Sequence, residues 1–253
     1  MDDLIIAGRA FSSRFILGSG KFDPTLITAC VEGAGTQIVT LAVRRVDSGG
    51  ENITDFIPSG VTLLPNTSGA RTAQEALRIA RLARELGCGD FIKVEVIRDS
   101  KYLYPDNSES IRATEMLVAE GFKPLVYMYP ELYAARALVA AGAAAVMPLA
   151  APIGSNQGLL NRHMIETLVR EIDAPIIVDA GLGRPSEACA AMEMGCAAVM
   201  ANTAVATARD VRGMARAFGM AIKAGREAYL AGLGRVKESA EASSPLTGFL
   251  SEN

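Results

Sequence analysis

The chain reads as an α/β protein of the (β/α)8 TIM-barrel class, and three observations predict this. Eight short β-rich runs alternate with alanine-rich helical stretches, and no Pro/Gly/Ser-rich linker divides the alternation. The length of 253 residues, half of them hydrophobic, matches the roughly 250 that one such barrel needs. A small unit of helix, glycine, one to three residues and apolar strand recurs, as in ELGCGDFIKVEV, AEGFKPLVYM and MGCAAVMANT. An open doubly wound sheet uses the same alternation, but eight units in unbroken succession favour closure.

The elements follow in order. Leu4–Arg14 is expected as an added strand or hairpin that closes the barrel bottom. Strands are predicted at Phe15–Gly20, Thr36–Val43, Thr62–Thr67, Phe91–Val96, Lys123–Met128, Ala144–Pro148, Pro175–Gly181 and Ala197–Thr203. The strongest helical periodicity covers Thr72–Leu86, Ser108–Ala119, Glu131–Ala141, Asn161–Ile172, Ser186–Met194 and Asp210–Ala231. Gly33, Gly87, Gly121, Gly142 and Gly195 stand where helix C-terminal glycines are expected. Residues 1–253 are read as one barrel domain with its core over 4–232, and 233–253, rich in Ser, Glu and Gly, as a mobile tail.

Composition narrows the function. A net charge of −3 and a pI near 5.4 argue against nucleic acid or an anionic membrane surface as the main partner, while leaving room for a local phosphate site. No apolar run is long enough to span a bilayer, and the acidic MDDLIIAGRAFSSRF start does not resemble a secretory signal. Cys30, Cys88, Cys189 and Cys196 form no CxxC pair and read as reduced packing residues of a cytoplasmic protein. The single histidine, His163, reads as structural, and no ligand spacing suggests a metal or any other cofactor.

The strand FIKVEV carries the chemistry. Alternation puts Ile92, Val94 and Val96 on one face and Lys93 and Glu95 together on the other. Desolvation lowers a lysine pKa and frees the amine to attack a carbonyl, as in Schiff-base enzymes; a buried structural Lys/Glu ion pair has the same appearance in the sequence. In a barrel the active site forms from strand C-terminal ends and the loops after them. Asp179 shares the lumen face with Ile177 at such an end, as an acid/base group beside Glu95 or as a loop brace. Ala180-Gly181 and Asn202-Thr203 follow the seventh and eighth strands, the recurring phosphate position of barrel enzymes. The Ala150–Gly158 loop, with Gly154, suits close backbone contact with a ligand. The long Arg98–Asn107 connection is a candidate lid or partner surface, and Arg44-Arg45 with Asn66-Thr67 extend the polar rim.

Six segments carry a family resemblance: QIVTLAVRRVD at 37–47, LLPNTSGARTAQEA at 63–76, FIKVEVIRD at 91–99, VMPLAAPIGSNQG at 146–158, VDAGLGRPSEA at 178–188 and VMANTAVATA at 199–208. Over residues 4–232 the sequence resembles bacterial thiazole synthases of thiamin biosynthesis. The resemblance implies condensation of 1-deoxy-D-xylulose 5-phosphate, dehydroglycine (2-iminoacetate) and sulfur from a carrier-protein thiocarboxylate. It implies Lys93 as the Schiff-base lysine and Glu95 and Asp179 as acid/base carboxylates. Gly154, Ala180, Gly181, Asn202 and Thr203 are implied as sugar-phosphate contacts. It further implies a ubiquitin-like sulfur carrier, a glycine oxidase or tyrosine lyase as the source of dehydroglycine, and a homotetramer of barrels. Two other readings of the same lysine and loops are a Schiff-base aldolase and a non-catalytic sugar-phosphate sensor.

Overall fold

The structure is a computed structural model that describes residues 2–20, 24–43 and 56–241. It opens on an antiparallel hairpin, β1 (Leu4–Ile6) and β2 (Arg9–Phe11). The sheet and its helices follow as β3 (Phe15–Leu17), α1 (Pro24–Ala34), β4 (Ile38–Ala42), β5 (Thr62–Asn66), α2 (Ala73–Glu85), β6 (Phe91–Val94), α3 (Asn107–Ala119) and β7 (Lys123–Met128). Then come α4 (Leu132–Ala140), β8 (Ala145–Pro148), α5 (Arg162–Glu171), β9 (Ile177–Val178), α6 (Pro185–Glu193), β10 (Ala198–Ala201), α7 (Thr203–Ala206) and α8 (Val211–Ala231).

Among the described residues, eight parallel strands pair in the order β8-β7-β6-β5-β4-β3-β10-β9. Bridges Val146↔Ile176 and Leu149↔Asp179 join the two end strands, so the sheet closes into the expected barrel. Two apolar layers hold it. Outward-facing Val94, Val126, Val146 and Val178 pack under the helices, while inward-facing Leu125, Met147 and Ile177 fill the lower lumen. Leu4, Ile6 and Phe11 of the hairpin join the inner layer, so the hairpin plugs the bottom as predicted. The upper lumen is left to polar side chains.

Local signals explain the helix starts. The side chains of Thr72, Asp106, Glu131 and Asp210 each accept a hydrogen bond from a first-turn N–H of the helix that follows. Four expected helix-end glycines, Gly87, Gly121, Gly142 and Gly195, take positive φ.

Three expectations are corrected. Gly33 lies inside α1, against Arg216 of α8, and the positive-φ residue after that helix is Gly35. The seventh barrel strand shrinks to two residues: Pro175 has no N–H to pair, and Ala180 and Gly181 turn the chain into left-handed φ of 56° and 80°. Thr203 opens the short helix α7 instead of ending a strand. Arg44 and Arg45 lie outside the described residues, as does the tail beyond Glu241; residues 232–241 are exposed and without helix or strand. No helix among the described residues is long and apolar enough to cross a membrane.

Candidate active site

Alternation along β6 sends Lys93 and Glu95 into the lumen, where Asp179, just past β9, meets them from across the barrel. Lys93 Nζ donates to Glu95 Oε1 at 2.7 Å and lies 2.7 Å from Asp179 Oδ2. All three are buried: Lys93 is 2% exposed, Glu95 8% and Asp179 3%. The buried ion pair expected as one reading of FIKVEV is present, and it joins Lys93 to both carboxylates.

The expectation that burial frees the amine is corrected. Burial alone pulls the Lys93 pKa down, but the charges of Asp179 and Glu95 and the hydrogen bond to Glu95 outweigh it, and the ammonium is held above its ordinary value. One ammonium cannot neutralise two carboxylates. The excess falls on Asp179: burial, opposed by Lys93, and the Glu95 charge raise its pKa, so it binds a proton more readily than an ordinary aspartate.

The neighbouring backbone fixes these side chains. Thr67 Oγ1 accepts from the Glu95 N–H at 2.8 Å and donates to the Glu95 carbonyl at 2.9 Å, clamping the chain where β6 ends. Asp179 Oδ1 accepts from the Ala180 N–H at 2.6 Å, which turns its other oxygen toward Lys93. That Oδ2 is buried and has no donor aligned as a hydrogen bond requires, despite the short contact with Nζ. Asp179 is therefore a loop brace whose second oxygen faces the lumen.

A cavity of about 240 Å³ opens above this centre. Lys93, Glu95, Asp179, Gly154, Ala180, Gly181, Asn202 and Thr203 all line it, so the eight residues that the resemblance implied for the site converge on one space. The glycine loops are pressed together. A Cβ on Gly181 would stand 2.7 Å from the Ala151 backbone nitrogen, and Gly158 N–H donates to the Gly181 carbonyl at 2.8 Å. In the amide orientation that satisfies both neighbours, Asn202 donates to Gly18 O at 3.0 Å and accepts from Gly20 N at 3.1 Å. Its side chain thus ties the loop after β3 to the loop after β10.

The Arg98–Asn107 connection is folded back on itself by an Ile97↔Pro105 bridge and an Arg98–Asp106 ion pair of 3.0 Å. Leu103 from this loop reaches the cavity, while Tyr102 stacks on Tyr104 and Tyr104 meets Tyr129 edge-on at 5.6 Å. These tyrosines are exposed. Asn66 lines the cavity, whereas Thr67, read as rim, is fully buried as the Glu95 clamp. His163 is exposed on α5 and plays no part in the cavity.

Sequence reasoning missed Gly18, Thr40 and Met200, which line the cavity, and, above all, Tyr127, which lies beside Lys93 beneath it. Tyr127 is fully buried, with Lys93 Nζ 5.3 Å from its ring centroid and no partner for its hydroxyl. The two-residue spacing of Leu125 and Tyr127 signals that face, but an aromatic residue in an apolar strand reads as core.

A closed parallel barrel with a buried lysine between two carboxylates at its C-terminal mouth defines a (β/α)8 barrel enzyme. The model of the family "Thiazole biosynthesis protein ThiG" matches residues 5–245. The chain belongs to that family, the thiazole synthases of thiamin biosynthesis. It is 67% identical to the thiazole synthase of Clostridium beijerinckii, covering 99% of both chains, and 63% identical to that of Campylobacter jejuni, covering 98% of this chain and 96% of that one. Among solved structures it is similar to a chain in the Amycolatopsis orientalis BexX/CysO complex, with a TM-score of 0.84 at 32% identity, over 95% of this chain and 100% of that chain. A mandelate oxidase mutant with benzaldehyde matches at a TM-score of 0.63 and 15% identity over 89% of this chain and 76% of that one, which is a likeness of fold alone.

Proposed function

We propose that this thiazole synthase condenses 1-deoxy-D-xylulose 5-phosphate, dehydroglycine and carrier-borne sulfur through an imine on Lys93. The observation that carries the reading is the buried Lys93 ammonium held between Glu95 and Asp179 beneath a cavity ringed by glycine loops. A carboxylate first takes one ammonium proton, and the neutral amine adds to the substrate ketone. Loss of water then gives the iminium: of the three ammonium hydrogens two leave in that water and one stays on nitrogen. The iminium acidifies the adjacent carbon. Asp179, whose proton affinity burial raises, suits the removal and return of protons there, with Glu95 as its partner.

The sugar phosphate is assigned to the backbone around Gly154, Ala180, Gly181, Asn202 and Thr203, where glycine permits close approach. Sulfur is assigned to the thiocarboxylate of a ubiquitin-like carrier protein entering the barrel mouth. The two-component BexX/CysO assembly of a structural relative supports such a partner. The exposed Tyr102, Tyr104 and Tyr129 ledge is the surface on which the carrier is placed. Dehydroglycine comes from a separate glycine oxidase or tyrosine lyase, and the barrel, with its core over 4–232, assembles as a cytoplasmic homotetramer. The test is product formation from purified components. Thiazole phosphate should appear only when sugar phosphate, dehydroglycine and carrier thiocarboxylate are all present, and carbon–carbon cleavage of the sugar without a sulfur donor would replace this reading with an aldolase.

A further inference from the structure

Iminium formation leaves the centre short of hydrogen-bond donors. In the resting site the Lys93 ammonium, with three N–H groups, donates to Glu95 and lies 2.7 Å from Asp179 Oδ2. After two of those hydrogens leave as water, one N–H faces two buried carboxylates. Buried carboxylate oxygens without donors are costly, and Asp179 Oδ2 has no aligned donor even before the reaction. A donor must therefore come from elsewhere in the lumen.

Tyr127 is placed to supply it. Its lumen-facing ring lies beside Lys93, its side chain is fully buried, and its hydroxyl has neither a protein partner nor exposure to solvent. An orphaned buried hydroxyl is unfavourable in a resting protein, and among those of the described residues this one belongs to a ring 5.3 Å from Lys93 Nζ. We propose that Tyr127 is a positioning residue whose hydroxyl donates to Asp179 once Lys93 has become an iminium, holding that carboxylate ionised for proton removal from the adjacent carbon. The inference rests on the Lys93 imine proposed above. Burial, together with the charges of Asp179 and Glu95, raises the Tyr127 pKa, so the hydroxyl keeps the proton it must donate.

The test is solvent-deuterium exchange into 1-deoxy-D-xylulose 5-phosphate, catalysed by the full-length protein and followed against pH in wild type and Tyr127→Phe. The acidic limb of kcat reports the enzyme–substrate complex, and that of kcat/KM the free enzyme. Because the hydroxyl has no partner in the free site, Tyr127→Phe should leave the kcat/KM limb in place. The kcat limb should move up by about one pH unit, with roughly tenfold slower exchange below it. Replacement of Tyr127 by 3-fluorotyrosine, a stronger donor that keeps the ring, should move the same limb down. Thermal unfolding of Tyr127→Phe should be no lower than wild type, since an unpartnered hydroxyl is lost. Wild-type profiles in both variants, or equal movement of the kcat and kcat/KM limbs, would overturn the inference alone. Absence of both exchange and a borohydride-trapped adduct in wild type would overturn the imine reading beneath it.

Discussion

Removing the lysine should turn the active-site centre into a pH-dependent liability. In Lys93→Met the side-chain volume stays similar while two buried carboxylates lose their shared ammonium. At an effective dielectric near 20, each 2.7 Å contact corresponds to a gross attraction of about 6 kcal/mol. Desolvation of the three ions offsets most of this, and breaking buried pairs from one side costs about 3–5 kcal/mol. For a chain of this size that lowers Tm by roughly 6–20 °C at neutral pH. The sign with pH follows from Asp179, whose pKa is already raised in the folded state and rises further without Lys93. A carboxylate with a raised folded pKa contributes stability below its unfolded value of about 3.9 and loses it as pH rises through the folded value. The raised Lys93 contributes stability that is complete below about 10.4, so the lysine itself stays charged across pH 5–9. Denaturant unfolding of both proteins from pH 5 to 9 should show a deficit that widens with pH, and adding Asp179→Asn should recover about half of it. A Lys93→Met protein as stable as wild type, or a deficit independent of pH, would refute the electrostatic reasoning.

The remaining predictions concern the backbone around the site. Gly181→Ala forces a Cβ to 2.7 Å from the Ala151 backbone at a φ of 80°, and should cost about 2–5 kcal/mol with loss of sugar-phosphate binding measured by calorimetry. Gly154→Ala, at a φ of 74° but with its nearest neighbour 3.8 Å away, should cost only about 1–2 kcal/mol, so equal destabilisation of the two variants would contradict the crowding described here. Thr67→Val leaves the Glu95 backbone N–H unpaired, and should cost about 1–3 kcal/mol in denaturant titration and slow turnover by displacing Glu95; unchanged stability and rate would remove the clamp.

The sequence revealed what depends on local periodicity. The period of two in FIKVEV and in Ile177-Val178-Asp179 placed three catalytic candidates on the lumen face, and the strand predicted at Lys123–Met128 has those same limits in the structure. The state of Lys93 was not legible, because its charge depends on Asp179 arriving from a distant strand and outweighing desolvation. Tyr127 was hidden by the resemblance of a lumen aromatic to a core aromatic. Thr67 was misread as rim because its position after a strand says nothing of the neighbouring strand, whose Glu95 backbone it clamps. Gly33 was mistaken for a helix end because two glycines stand close together in EGAG, and only the packing of α1 on α8 selects the second.

The central claim is that Lys93 forms the covalent intermediate, and borohydride trapping with peptide mass analysis tests it most directly. Wild-type protein incubated with 1-deoxy-D-xylulose 5-phosphate and borohydride should gain one reduced sugar-phosphate adduct, located on the peptide containing Lys93 and absent from Lys93→Met. An adduct on another lysine, an undiminished adduct in Lys93→Met, or no adduct in a protein that still makes thiazole phosphate would contradict the account.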